Sequence, residues 1–585
     1  MLDTTAFGSR IRVNEVFTSN IILLEATDNS PQQRLQSNQQ RLSLALIRPL
    51  NDELSTKAQW SSLIYSDNKA VGLSTASINS ILGGVEYTPD PFFTISPMVG
   101  HRWDNQIDVR DRGLSYLVAA QTNNINLDGY QIAGRAQFQQ DRLDPRMLEQ
   151  HFVHAGAEKA FLGRTRDSIE IGFNRNRREF YTVSAGALES RKENIFSFTN
   201  LLDYEIGSRF VTSLFVNVYS RTLDKEYRAV DGAAQSPAQF NTSIDEFQLD
   251  AFIQGAFRDY ENDVALSARL AHSERNEKHF VTSPTTGFED DTTFNPLTER
   301  QAQEQEHTKD NLSRRTSLAG NVEFPFSRSD RLQFSGAASI LRYDTPADSN
   351  FEDRDELLVA LSLSTFHRIS PSLDLELTLE GTLSHIVYIF SQKSQNNNIN
   401  RVLRFSPRTL FRPFPQFATM NAFEVLANYT VYDFEALTTQ VQSFSYRQFG
   451  WMDSSALTLT NRLGLDFLLY LKLYDRGQLN WGAFTERREN SFVDKTYAVQ
   501  ARFAPDEGTL VAVGLRYFSQ SRYSYTGATR KLDSFLRSVG PTCLIVWRVN
   551  RFGELRFKGW YERRRLEGGG TTSLANMTMN ITITL

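Results

Sequence analysis

Leucines at 373, 375, 377 and 379 alternate with Asp374, Glu376, Thr378 and Glu380, and this period of two recurs along nearly the whole chain. Successive side chains of a β-strand point to opposite faces, so strict alternation gives one apolar face and one polar face. One parity runs on through Gly381 and Leu383, the other through Thr382 and Ser384. The longest run reads Leu457, Leu459, Asn461, Leu463, Leu465, Phe467, Leu469, Leu471 and Leu473 against Thr458, Thr460, Arg462, Gly464, Asp466 and Lys472, and it reads as one ladder. Strands of soluble domains have roughly five or six residues. Crossing a bilayer at a tilt takes about nine to eleven, with any excess projecting into water.

Other segments repeat the pattern. Phe247, Leu249, Ala251, Ile253, Gly255 and Phe257 oppose Glu246, Gln248, Asp250, Gln254 and Arg258, and Leu555, Phe557, Gly559 and Tyr561 oppose Glu554, Arg556, Lys558 and Glu562. Helical period is absent from these runs. No stretch approaches 18 consecutive apolar residues, so transmembrane helices are not expected. The mean hydropathy of −0.40 is what a barrel with a wet interior and polar loops would show. A net charge of −5 on 585 residues implies no pull toward nucleic acid. The single Cys543 rules out an intrachain disulfide and a cysteine-based metal cluster. Residues 1–30 hold no basic segment followed by an apolar one, so no signal peptide is read there.

Connections alternate between short and long. Tight turns rich in Gly, Pro, Asn, Asp and Ser are expected near Pro49–Asp52, Leu127–Gly129, Tyr260–Asn262, Ser370–Ser372, Asp475–Gly477 and Asp506–Gly508. Longer polar connections are read at 27–38, 221–242, 276–307, 344–353, 391–400 and 523–529. Asp144 and Pro145 are read as the possible cap of a helix over 144–155. The expected fold is all-β, a single antiparallel transmembrane β-barrel over residues 1–585 with about 26 strands, the range being about 22 to 26. Residues 1–38 would be its first strand plus a polar loop, and 276–307 its longest loop. An even strand number puts both termini on the short-turn side.

The last segment, Ser573, Ala575, Met577, Met579, Ile581, Ile583 and Leu585 against Leu574, Asn576, Thr578, Asn580, Thr582 and Thr584, resembles the C-terminal closing strand of bacterial outer-membrane β-barrel proteins. That strand typically ends in an aromatic residue, where this chain has Leu585. Size and strand number are also similar to the barrel of the lipopolysaccharide-assembly protein LptD. That family's N-terminal periplasmic domain and paired cysteines are not seen here. The resemblance implies the outer membrane of a diderm bacterium, with short periplasmic turns and longer extracellular loops.

A barrel of this size would be roughly 50 Å across if circular, too wide for side chains to fill. Transport follows as the expected function: a channel or translocation conduit for a large or amphiphilic substrate, with a plug, a lipoprotein or a periplasmic partner. The loops 276–307 and 221–242 are internal candidates for the obstruction, against their being solvated surface loops. A non-conducting anchor or assembly scaffold is the alternative, and a barrel hydrolase a second one; the expectation is no enzyme and no cofactor. Candidate lumen-facing residues are Glu246, Asp250, Arg258, Asp374, Glu376, Glu380, Arg462 and Asp466. They could tune selectivity or simply hydrate the wall. Arg175, Arg177, Arg563 and Arg565 are candidates for the phosphates of lipopolysaccharide at the rim, since guanidinium forks bind phosphate well. His151 and His154 lie three apart, so on a strand they face opposite sides and cannot share a metal. Glu289, Asp290 and Asp291 lack the alternating oxygens of a calcium loop.

Overall fold

A computed structural model describes the chain except residues 1–3, 7, 25–32, 68–73, 107–108, 182–186, 230–239, 285–295, 436–440, 549–552 and 585. It is one antiparallel sheet of 27 strands. The three-residue Thr4–Ala6 pairs only with Ser9–Leu24, as a hairpin; the other 26 strands form a closed ring. Closure comes from the first and last of these. Ser9–Leu24 pairs with Thr571–Thr584, in register from Arg12↔Thr584 to Leu24↔Thr572. Wall strands run from 14 residues, as in Leu54–Asp67, to 22 in Thr485–Asp506, more than a bilayer needs. The expected all-β barrel of 26 strands is therefore the observed one. Apart from Thr4–Ala6, the helix Pro296–His307 and the single turn Ser394–Asn396, every described element is a wall strand.

One face of the ring is apolar and exposed. Leu361, Leu379 and Leu403 lie on three successive strands and are 50%, 51% and 57% exposed. Of their inward neighbours Ala360, Ser362, Thr378, Glu380, Val402 and Arg404, all but Val402 are polar or small. An apolar face that no other described part of the chain covers is what a wall in hydrocarbon requires.

The long ladder at 457–473 divides. Phe444–Thr458 and Leu463–Asn480 are separate strands, joined by a turn in which the Leu459 N–H donates to the Leu463 carbonyl at 2.8 Å. Leu457 then stands opposite Leu465, so the alternation passes through the turn unbroken. The glycine signal at Asp475–Gly477 is no turn: these residues lie inside Leu463–Asn480, opposite a bulge at Glu489 of the partner strand, and the chain reverses at 481–484 instead. The 523–529 connection shrinks to residues 527–528, between Thr509–Thr526 and Thr529–Arg548. Residues 33–38 belong to the strand Gln33–Pro49. Asp144 and Pro145 are the turn between Tyr130–Leu143 and Arg146–Ala160, and no helix follows.

The ring has a corner. Ser74–Asp90 and Val109–Leu127 are second neighbours, as are Phe93–Gln106 and Tyr130–Leu143, yet both pairs come within 8 Å between Cα atoms. In a flat sheet that distance is about 9.6 Å. Where the pairs come within 8 Å, the wall turns by roughly 65° at the strand between, against about 14° per strand in a circular ring of this size. Inside the corner Leu82, Met98 and Leu117 form a small buried core. Glycine is required there by close approach: a Cβ on Gly100 would lie 1.8 Å from the Ile81 carbonyl oxygen, and one on Gly113 1.6 Å from that of Arg142.

The outward face gives a direct test. Leu515, half exposed on it, replaced by Arg should destabilise the barrel by about 2–4 kcal/mol if its site is near the bilayer midplane. Thr382→Arg, on the polar face, should cost under about 1 kcal/mol. Urea titration of vesicle-refolded protein compares them, and equal costs would mean that the outward face does not meet hydrocarbon.

Candidate functional site: the charged inner wall

Polar residues of the inner face are joined across strands. Glu246, buried on Phe240–Asp259, accepts from Arg221 at 2.9 Å and from Arg275 at 2.5 Å. Arg221 also meets Glu193 at 2.7 Å. Arg275 meets Glu277 at 2.6 Å, and Glu277 lies 2.9 Å from His279. This chain of charges crosses four strands. Asp250 accepts from Ser273, Gln248 and Asn217 at 2.6–3.2 Å.

A second chain starts at Glu380, which meets Arg404 at 3.1 Å; Arg404 reaches Glu424 at 3.4 Å, and Glu424 accepts from Gln448. Toward the turn side, Glu376 lies 3.9 Å from Arg408, and Asp374 sits between Arg368 and Arg412 at 3.1 and 3.6 Å. Asp466 meets Arg502 at 2.6 Å. Two residues named from sequence are not part of these chains. Arg258 is exposed beside the turn and pairs with Asp263 at 3.1 Å. Arg462 lies in the turn 459–462 and not on a strand, because the ladder it was read from is interrupted there.

The corner holds a cluster that alternation gave no sign of. Arg146 is fully buried, 3.2 Å from Asp104, in contact with Asp111 and donating to the Glu179 carbonyl at 3.3 Å. Its guanidinium lies 5.2 Å from the Tyr181 ring. Asp141 joins Arg102 to Ser115. Arg146 and Asp104 are three strands apart, and only a sharply concave wall brings them together. The missed signal was the density of Asp, Arg and Ser around two short connections.

At the loop end, Val264–Pro284 runs beyond its partner Asn311–Pro325, whose pairing stops at Glu277↔Asn311. The helix Pro296–His307 and the residues after it cover the freed edge. His279 N–H donates to Asp310 at 2.6 Å, and Val281 N–H donates to Gln303 at 3.1 Å. So the described parts of 276–307 are strand and an edge-covering helix, while Glu289, Asp290 and Asp291 lie outside the described residues. Of 221–242, residues 221–229 and 240–242 are strand and 230–239 lie outside the description. Neighbouring loops interlock: Asn350 donates to the Thr308 carbonyl at 2.7 Å, and Lys393 meets Glu352 at 2.6 Å. That hydrogen bond and charge hold the Lys393 ammonium above its usual pKa.

His151 and His154 stand on one strand, with His151 against Phe138 and His154 3.1 Å from Asn174. Among the described residues no group of three His, Cys, Asp or Glu is placed to hold a metal. Arg175 lies 4.0 Å from Glu149, and Arg177 meets Glu179 at 2.6 Å. Arg563 and Arg565 are exposed near the loop end of Gly553–Leu566.

No family model matches the chain, and neither does any curated protein. Among solved structures it is similar to the unliganded ferric citrate transporter FecA, with 11% identity, 97% of this chain and 78% of that one covered, and a TM-score of 0.43. It is also similar to the copper transporter OprC, with 10% identity, 97% and 80% coverage, and a TM-score of 0.40. For the siderophore receptor PirA from Pseudomonas aeruginosa the values are 11%, 98%, 81% and 0.38. Likeness at this level carries no argument.

Glu246 tests the wall. Replacing both Arg221 and Arg275 by Met strands a buried carboxylate and should cost about 3–5 kcal/mol. Adding Glu246→Gln should return most of it. Equilibrium unfolding of the three variants checks this, and no recovery in the triple variant would show that the arginines act by packing alone.

Proposed function

We propose that this chain is an outer-membrane conduit of a diderm bacterium for a large or amphiphilic substrate, working with a plug, lipoprotein or periplasmic partner. The carrying observation is a closed ring of 26 strands whose perimeter is too long for its own side chains to fill. The paired inner wall adds a property. With most of the named carboxylates joined to an arginine, the lumen presents little net charge, so selection between small ions should be weak. Asp250, held by neutral donors, is the exception. The same reading has lipopolysaccharide at the outer rim, no nucleic-acid partner, no cofactor and no catalysis. Likeness to the lipopolysaccharide-assembly barrel is retained only as a likeness of size.

Planar-bilayer recording tests the conduit. The expected result is stepwise conductance with cation and anion permeabilities close to their ratio in free solution. Should the intact chain be silent, a variant with 285–310 replaced by a short linker should open it. A barrel sealed in both forms, purified with a tightly held partner, would overturn the conduit in favour of a membrane anchor.

A further inference from the structure

The outer surface of four adjacent strands carries a second charge pattern. Reading across the hydrogen-bonded register, Lys495 stands opposite Ser519, Ser519 opposite Arg537, and Arg537 opposite Arg565. Arg563 lies one step below Arg565 on the same face, opposite Val539. All four cations are exposed. Their face is the apolar one, since two residues further down the same strands stand Tyr497, Tyr517 and Val539, and then Val499 and Leu515. Tyr497 and Tyr517 are in ring contact at 6.1 Å, and Tyr561 lies just below Arg563.

Height follows from the strand itself. On Thr529–Arg548 the outward residues above Trp547 are Ile545, Cys543, Pro541 and Val539, and then Arg537. Ten residues at about 3.3 Å rise and about 40° of tilt span about 25 Å, the height of the apolar band of such barrels. Arg537 therefore sits where hydrocarbon gives way to headgroups, with Lys495 and Arg565 within roughly 6 Å of that height on the tilted strands, just above a tyrosine belt.

Like charges directly opposite each other destabilise a sheet, and Arg537 faces Arg565. Elsewhere on this surface charges are matched: Arg447 meets Glu486 at 2.5 Å and Arg488 meets Asp475 at 3.7 Å. Among the described residues, Lys495, Arg537 and Arg565 have neither an ion pair nor a side-chain hydrogen bond. We infer that Lys495, Arg537 and Arg565, with Arg563 below them, form a docking site for the phosphorylated sugar headgroup of an outer-leaflet glycolipid. Lys495 and Arg537 are two strands apart, about 10 Å, so the patch reaches two phosphates of one headgroup. Arginine supplies the forked donors and lysine a point charge. The site rests on the outer-membrane reading above and makes one edge of the rim specific.

The test uses the full chain and the variant Lys495→Gln, Arg537→Gln, Arg565→Gln, with Lys531→Gln at the hairpin tip as control. Vesicle flotation comes first, and a chain that does not float overturns the membrane reading on which the site depends. For floating protein, native mass spectrometry follows retention of diphosphoryl lipid A, with phosphatidylglycerol and inorganic phosphate as competitors. The expected result is retention by the parent chain and the control, and a loss of about tenfold or more in the triple variant. Undiminished retention in that variant, or equal displacement by phosphatidylglycerol or by inorganic phosphate, overturns the site.

Discussion

Backbone N–H and C=O groups cannot be left open in hydrocarbon, where each unsatisfied group costs several kcal/mol. A chain of strands meets this only by closing on itself. Here the seam between Ser9–Leu24 and Thr571–Thr584 removes the last edge. The same constraint explains polar residues buried at the loop rim, where adjacent strands end at different heights. Glu179 accepts from the Met147 N–H, Asn241 from Tyr227, Asp353 from Thr345, Asn397 from Tyr388 and Ser443 from Tyr432, all at 2.6–3.0 Å. Asp310 and Gln303 do this for the projecting edge of Val264–Pro284. Each side chain continues a ladder that has run out of backbone partners.

Alternation made the fold class and strand number legible, because the requirement for one apolar face acts on every strand. It could not show turns in which the parity survives. Thr458 and Leu463 are separated by four residues, so leucines before and after the reversal share a face, and the sequence reads as though nothing happened. Gly477 shows the converse: a glycine between polar residues can sit inside a strand, facing a bulge on its neighbour, as readily as in a turn. The inner wall was half legible. Carboxylates at 246, 374, 376, 380 and 466 could be placed on the polar parity, but their partners come from other strands, and register between strands is not written in any one of them. The Arg146 cluster was invisible for a further reason. It needs a corner, and curvature arises from close approaches such as Gly100 on Ile81 and Gly113 on Arg142, whose tightness depends on both chains at once.

The corner changes what the strand number means. Perimeter is fixed by 26 strands and their tilt, but enclosed area is not. A bend of roughly 65° at a single strand draws inner faces together until they pack like a small core, first with Leu82, Met98 and Leu117 and then, toward the loops, with Arg146 between two aspartates. Removing charges from water is costly unless each is paired and hydrogen-bonded. Arg146 meets that condition through two carboxylates, a carbonyl and the Tyr181 ring. Part of the ring is thus wall and filling together, which narrows the bore.

Inside and outside therefore handle charge in opposite ways. Water in the lumen could solvate isolated ions, yet most of the carboxylates named there are tied to arginines on neighbouring strands, which fixes register as well as lowering the field. The outer surface offers no such freedom within hydrocarbon, so charge is absent from the band between Trp547 and Val539. Directly above it, where neighbouring acids would have been as easy to place as they are beside Arg447 and Arg488, Lys495, Arg537 and Arg565 have none among the described residues. A surface that neutralises its charges on one stretch of rim and leaves them open on the next has a direction around the barrel axis, and what fills the open stretch must bring the negative charge with it.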